Sequence, residues 1–531
     1  MQISLRPRPL VAALSVLLVC LAAPSPSLAA RTQEANFIRY TLEAIADRPA
    51  GVRGNLLLAN DGNIYFASTI GGAGRGSIGK LAPDGTLGVL YAIPAEDDVP
   101  VRLQGSLIQA NDGHLYGTSF IGGVEGAGTI FRVTLGGQFT LLRSLGATAT
   151  DASLPYTGLV QGPDGMLYGT TLYGGNNNKG TIYRIGLDGG NFSIIHHFND
   201  SDGENPEGAL IVGHDGELYG TTLMGGSSDR GTVYRISTAG VHTLLYSFPS
   251  LSAFGSLGTA TNATGANPRA GLLLASDGNY YGTAYQGGPD GMGTVFRMTP
   301  AGVVSVFHSF KGPSRDGGFP LSSVAQDAQG NFYGTTQNGG ALDVGAAWRI
   351  SGSGVFSLLH GFVDSSVDGS NPHATLLPAN GSIYGASFNG PTGEGTVFKL
   401  DTGSSGTLPV EISVSPADVL VGEPATLTWS SPTAAAATCS ATGNWTNGDR
   451  AASGTESVTL LTPGRYIYAL SCTDGAGVLR NAYATLVVEA PDREPVDGGG
   501  GAGALSLTML LLLAVLLLSR RRLREIFTTC P

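Results

Sequence analysis

The sequence predicts an all-β protein: a seven-bladed β-propeller followed by an immunoglobulin-like β-sandwich, with an N-terminal signal peptide and a C-terminal transmembrane helix. Three observations carry this reading. A short motif recurs seven times, its tyrosines (Tyr65, Tyr116, Tyr168, Tyr219, Tyr281, Tyr333, Tyr384) spaced 51 or 52 residues apart except for one interval of 62. The chain holds 81 glycines, and helix signals are absent between residues 32 and 490. Beyond residue 408 the repeat stops and β-branched runs replace it.

Residues 1–30 read as a secretory signal peptide. Arg6 and Arg8 form its charged region, 10–23 its apolar core, and Ser27-Leu28-Ala29 a small-residue cleavage site. Cys20 follows Leu17-Leu18-Val19 as in a loose lipoprotein box, but the better cleavage site lies downstream.

Residues 36–401 hold the seven repeats. Each reads as four short strands: an apolar-aromatic run such as TLLRSL, a Gly-Leu-Leu-like run, a Leu-Tyr-Gly-Thr-Thr strand and a Gly-Thr-Ile-Tyr-Arg-Ile strand. Asp-Gly or Asn-Gly pairs (Asp61-Gly62, Asp112-Gly113, Asn380-Gly381) stand between the second and third strands, where they suit a tight type I′ hairpin. A four-stranded unit cannot bury both faces alone, so the units must stack, and seven of this length close into a propeller. The N-terminal FIRYTL run is expected to pair with the last GTVFKL strand and close the ring. The long interval contains an insertion over 251–265, suited either to function or to a tolerated surface loop.

Residues 408–489 carry short β-branched strands at turn-punctuated spacing, the pattern of an immunoglobulin-like sandwich. Cys439 and Cys472 are the cysteines of the exported part and should pair in an oxidising compartment, for about 3–4 kcal/mol on the chain-entropy model. Trp429, on the strand before Cys439, is placed to pack on the bridge. A Gly-rich linker occupies 491–503, an apolar helix 504–518 and a basic tail 519–531. The helix is short for a span, and its arginines favour a cytoplasmic C-terminus. The whole chain carries −11; the signal peptide contributes +2 and residues 503–531 +3, leaving −16 for 31–502. So acidic an ectodomain argues against nucleic-acid binding.

Two resemblances follow. The tail, with Gly498, Gly499, Gly500, Gly501 and Gly503 before the helix and Arg520, Arg521 and Arg522 after it, resembles the GlyGly-CTERM sorting signal. That resemblance implies a rhombosortase-type intramembrane protease as partner after the export machinery, and release to the cell surface or medium. Otherwise the protein stays anchored in the inner membrane, facing the periplasm. The LYGTT–xxGG–GTVF(R/K) pattern is similar to the tandem GloVer repeat of choice-of-anchor bacterial surface proteins, a family that carries over no established activity.

Candidate sites divide between chemistry and construction. The in-register basic residues Lys80, Arg132, Arg184, Arg235, Arg297, Arg349 and Lys399 could form an anion-binding ring, but a residue repeated in every unit more often builds the unit. The loops around Asp202 to Pro206, Asp316, Asn267-Pro268 and Asp368 to Pro372 offer too few oxygens for calcium and read as turns. His196, His308 and His360 share a repeat position with Tyr40, Tyr91, Arg143 and Tyr246, which marks a packing slot with a polar tip. No catalytic, cofactor or metal motif emerges. The expected function is that of an exported, surface-displayed or secreted non-enzymatic repeat protein binding an extracellular glycan or protein. The alternative is a secreted propeller glycan lyase or hydrolase, which needs paired carboxylates or a His/Tyr/Arg set converging on the centre at positions the units do not share. A purely structural envelope role is the third reading.

Overall fold

A computed structural model of the chain describes residues 36–40 and 50–489, apart from 72, 97, 252, 255–258, 313–315, 341–342, 363–367, 391–394, 402–410, 417, 431–437, 446–447, 452 and 474–478. The described residues are all strand, turn and loop, with no helix. None of their elements is a helix long and apolar enough to cross a membrane. The signal peptide, the glycine-rich sorting motif, the 504–518 helix and Arg520 to Arg522 lie outside the described residues.

Among the described residues, seven antiparallel sheets of four or five strands follow one another along the repeat region, accompanied by three two-stranded pairings. Sheet 2 is typical: Ile108–Gln109, Leu115–Ser119, Thr129–Val133 and Phe139–Ser144 lie side by side in chain order. The apolar-aromatic run is therefore the last strand of a sheet, not the first. The phase shift is resolved at the ends. Asn36–Tyr40 pairs with Thr396–Asp401 of sheet 7, Phe37 opposite Leu400. The expected closure is present.

Side-chain alternation gives each sheet two apolar faces. Phe131 and Val133 share a buried cluster with Tyr65 and Ile78 of sheet 1, whereas Ile130 lies with Leu167 and Tyr183 of sheet 3. The same sharing links each successive pair, and a last cluster joins Tyr384 and Val397 of sheet 7 to Val52 and Phe66 of sheet 1. The clusters form a closed cycle.

The repeated motif supplies three devices. First, the glycine of Leu-Tyr-Gly-Thr faces an aromatic ring across the strand pair: Gly117 opposite Phe131, Gly169 opposite Tyr183, Gly334 opposite Trp348. A Cβ on Gly117 would stand 2.6 Å from Phe131 Cζ, so the ring lies over a backbone with no side chain. Sheet 1 keeps the pair with its members exchanged, Phe66 opposite Gly79. Second, hydroxyls join the strands: Thr171 Oγ1 is 2.7 Å from Thr181 Oγ1, and Thr222 Oγ1 is 2.8 Å from Thr232 Oγ1. Third, the turn aspartate accepts the repeat tyrosine's hydroxyl, as in Tyr116 to Asp112 at 2.7 Å and Tyr281 to Asp277 at 2.9 Å. Its other oxygen accepts a backbone N–H two residues on, His114 N at 3.0 Å and Asn279 N at 3.0 Å.

That third device corrects the expected turn. Six of the seven hairpins are not two-residue type I′ turns. Gly113 N–H bonds to Ala110 O and Ala110 N–H to His114 O, and Gly113 is left-handed (φ 80°) while Asp112 is not. This is the three-residue loop of a type I turn followed by a left-handed glycine. Only Asn380 and Gly381, where no carboxylate has to reach the tyrosine, are both left-handed (φ 52° and 75°).

Residues beyond 410 form a three-stranded sheet, with Pro424–Ser430 between Glu411–Ser415 and Ser453–Thr459, and a five-stranded sheet built on Gly464–Thr473. One buried cluster gathers Leu427, Trp429 and Trp445 with Leu470 and Leu486. Cys439 and Cys472 face each other in the ladder and are disulfide-bonded, with Trp429 in the same cluster.

The exchanged pair of sheet 1 gives a test. Phe131→Gly alone should cost about 3–5 kcal/mol, and Gly117→Phe alone should also destabilise. The Gly117→Phe/Phe131→Gly double variant should recover at least half of the summed loss in urea unfolding. Additive losses would mean that the glycine is not there for the ring.

Candidate central binding site

One repeat position behaves unlike the others. Just before each first strand the chain turns through a left-handed residue: Gly51, Arg102, Leu154, Asn205, Asn267, Phe319 and Asn371, all with φ between 53° and 63° except Asn371 at 51°. For Leu154 and Phe319 this conformation is unfavourable by about 1–2 kcal/mol, so the surrounding structure must enforce it. It does so with paired backbone bonds. Leu154 N–H donates to Ala127 O of the preceding unit at 2.8 Å, and its carbonyl accepts from Leu172 N–H at 3.1 Å; Asn205 and Asn267 repeat the pattern. The Asn205 and Asn267 side chains add bonds to Leu172 O (2.9 Å) and Leu223 O (3.0 Å). The Asn-Pro loops read as turns are thus ties between successive sheets.

Two residues further on, the seven units deliver Arg53, Gln104, Tyr156, Glu207, Arg269, Leu321 and His373, and all seven line one cavity of about 160 Å³. The backbone beside them is clamped by the threonine that follows the glycine of the preceding Tyr-Gly-Thr: Thr118 Oγ1 donates to Thr157 O (2.7 Å), Thr221 to Ala270 O (2.9 Å) and Thr283 to Ser322 O (2.9 Å). Behind the lining stands a set of larger side chains. The Arg53 guanidinium lies 4.3 Å from the Phe388 ring centroid and that of Arg269 4.8 Å from Tyr285. Phe120 packs edge-on to Tyr156, and Phe388 edge-on to His373.

The polar contacts inside are few and long. Arg53 Nη1 is 3.5 Å from the Tyr156 hydroxyl, and Arg269 Nη1 is 3.6 Å from Glu207 Oε2. Gln104 Oε1 and Arg269 Nε are buried without a hydrogen-bond partner among the described residues. Burial raises the Glu207 pKa, opposed by Arg269. Burial, then Arg53 and Arg269, push His373 down to about 4. At neutral pH the lining therefore presents a neutral imidazole beside the two arginines and Glu207. Glu207 is the single carboxylate among the described lining residues, which does not supply the paired acids of glycoside hydrolysis.

The sequence profile of the Gloeobacter/Verrucomicrobia repeat matches residues 52–261 and 249–449, well over half of the chain. The chain belongs to the Gloeobacter/Verrucomicrobia repeat family. No curated protein matches it in sequence. Solved structures align at low identity. The extracellular domain of BT4673 from B. thetaiotaomicron is 12% identical, with 87% of this chain and 59% of that chain covered at a TM-score of 0.46. The extracellular domain of BT3049 from the same organism is 13% identical over 86% of this chain and 57% of that one, TM-score 0.46. A fungal alcohol oxidase in complex with copper is 14% identical over 85% and 98%, TM-score 0.44. The chain spans less than two thirds of the two bacterial domains.

In this member of the repeat family the basic residues Lys80, Arg132, Arg184, Arg235, Arg297, Arg349 and Lys399 each stand opposite the repeat tyrosine of their own sheet. Arg235 lies 3.3 Å from Glu217 and 3.5 Å from Asp215, Arg184 donates to Ser193 and to Thr238 O, and the Lys80 ammonium is 5.7 Å from the Tyr65 ring. None of them lines the central cavity. The histidine slot is filled as expected for packing: His308 stacks on Phe356 and His360 on Phe37, while Asp316 and Asp368 hold their Nε2 atoms at 3.1 and 2.8 Å. Arg143 over Phe192 and Tyr91 over Phe139 occupy the same place.

Beside the same slot His196, Asp202 and His242 come together, their ligand atoms within 4.8 Å of one another. The two imidazoles are stacked, 4.3 Å apart and 6° from parallel. Lone pairs of parallel stacked rings lie in separate planes and do not converge on one ion, so this trio is the slot's stacking pair with an aspartate at its edge. Within the insertion, Asn262 ties the loop down by accepting from Gly265 and Gly288 N–H and donating to Pro249 O.

Sequence reasoning missed the cavity because it looked for sameness. The available signal was the residue two beyond each left-handed turn, where the repeats place Arg, Gln, Tyr, Glu, Arg, Leu and His in turn. His373 and His242 give a pH test. Burial, with nearby charges, holds both near 4 in the folded chain against an ordinary 6.5. The unfolded chain therefore binds more protons between these values, and stability rises with pH across that window. The melting temperature should be highest above pH 6.5 and fall as pH drops toward 4, and His373→Gln should flatten part of that slope.

Proposed function

We propose that the chain is an exported, non-enzymatic binding protein, displayed on the cell surface or secreted. In this reading the seven sheets are the blades of a β-propeller, the cavity at their centre is the ligand site, and the domain beyond 410 is an immunoglobulin-like sandwich acting as a spacer. The observation that carries it is the convergence of seven side chains of six different types, one from each unit at the same repeat position, on a single cavity. The glycine–aromatic pairs, the strand hydroxyls and the turn aspartates recur because they build the units. The basic residues beside the repeat tyrosines belong to that construction rather than to an anion-binding ring. A cavity of this size takes one small polar molecule or the end residue of an extracellular polymer, well short of the several hundred Å³ that enclose larger ligands. Export is supported by the signal-peptide pattern and by the Cys439–Cys472 disulfide.

The test is to fill the cavity. Leu321→Trp, at the least polar of the seven positions, should abolish binding to the extracellular polymer or cell-surface extract that the wild-type protein retains, with an unchanged melting temperature. Retained binding would move the site elsewhere. A lyase reading has one observation in its favour, the presence of Tyr156, His373 and two arginines in one cavity. An unsaturated, ultraviolet-absorbing product from a uronate polymer would establish it.

For the tail, the expected outcome is cleavage by the rhombosortase-type protease. Intact mass of the native protein should lack both about the first 29 residues and everything beyond the Gly498 to Gly503 stretch. A mass that retains 505–531 in the inner-membrane fraction would instead make the protein a tethered periplasmic one.

A further inference from the structure

We propose that the central cavity is built to receive one carboxylate of a polyhydroxylated acid, such as a uronic acid residue, with Arg53 and Arg269 as its charge partners and Glu207 standing in its place in the free protein. This rests on the central cavity being the ligand site and names what the cavity selects.

Charge is the first argument. The sequence between the signal peptide and the tail carries −16, yet the seven converging side chains include two arginines and one carboxylate. No carboxylate lies within salt-bridge distance of Arg53 among the described residues. Its neighbours there are the Phe388 ring and the Tyr156 hydroxyl at 3.5 Å. A guanidinium stacked on a ring keeps its planar edge of N–H donors for an in-plane acceptor, the geometry that matches a carboxylate.

The second argument is Glu207. Its 3.6 Å approach to Arg269 is well beyond the 2.7–2.9 Å of a formed charge-assisted bond. Arg269 Nε has no partner at all among the described residues. The pair is a loose contact that a better-placed carboxylate displaces. Burial already favours the neutral acid of Glu207, so the displaced side chain can give up its charge rather than repel the ligand.

Neutral groups complete the selection. Gln104, whose carbonyl oxygen is buried without a partner, and Ser323 and Asn55 in the lining are suited to hydroxyl groups rather than to a second anion. The volume of about 160 Å³ fits a single sugar residue.

The experiment is calorimetry on the purified full chain with galacturonate, galactose and galactose 6-sulfate as probes. Galacturonate should bind at least 10-fold more tightly than galactose, the discrimination expected of a charged hydrogen-bonding partner. Arg53→Gln should remove that preference, and Glu207→Gln should strengthen galacturonate binding several-fold by freeing Arg269. Galacturonate binding that is undetectable at millimolar concentration, or unchanged in Arg53→Gln, overturns the proposal. Weaker binding in Glu207→Gln overturns the stand-in role. Equal affinity for the sulfate ester overturns the carboxylate assignment. Leu321→Trp separates the two levels. Binding lost there but indifferent to Arg53→Gln sinks only the carboxylate, whereas binding indifferent to both sinks the central site itself.

Discussion

A four-stranded sheet with two apolar faces needs two neighbours, and this requirement governs the repeat region. Phe131 and Val133 look back to sheet 1 while Ile130 looks forward to sheet 3, and no sheet is left with a bare face because the seventh meets the first. Closure is secured by the antiparallel backbone hydrogen bonding of Asn36–Tyr40 with Thr396–Asp401. The clusters are small and separate, each shared by two sheets, so the ring is held by a cycle of similar contacts rather than by one large core.

Within that cycle the repeated residues divide the work by chemistry. Glycine opposite an aromatic ring lets the ring lie flat on the backbone, and the exchange of Phe66 and Gly79 in sheet 1 indicates that the pair, not the position of either member, is what matters. The turn aspartate serves two donors at once, a backbone N–H and the tyrosine hydroxyl. Burial and then the Asp277 carboxylate raise the Tyr281 phenol to about 12, so it remains a donor throughout the physiological range. The first threonine reaches the next unit's backbone and the second joins strands within its own sheet. Together they fix the backbone that carries the central side chains.

Much of this was legible in the sequence. The period, the strand set, the closing partner and the disulfide follow from spacing and residue type, because the same contacts are made in every unit and leave the same letters behind. The turn type was not legible from Asp-Gly alone. Its geometry is decided by where the carboxylate must go, as the contrast between Asp112 and Asn380 demonstrates. The cavity was hidden for a related reason. Arg53, Gln104, Tyr156, Glu207, Arg269, Leu321 and His373 share no side-chain pattern, and only the fold reveals that they occupy one position. Leu154 and Phe319, bulky residues held left-handed, were the local sign that the backbone there is imposed by its surroundings.

The closing strand has a consequence for how the ring can be assembled. Phe37 meets Leu400 across more than three hundred and sixty residues of chain, a sequence separation that makes this contact the slowest to find. In a chain delivered N-terminus first, Asn36–Tyr40 emerges ahead of the seven sheets and waits, its hydrogen-bonding edge open, until the last repeat has arrived. Six sheets can form as they appear, each on its predecessor. The ring's first strand is the last to be satisfied, and until then the chain carries at one end a strand and at the other a sheet edge that can each find a second copy of the protein.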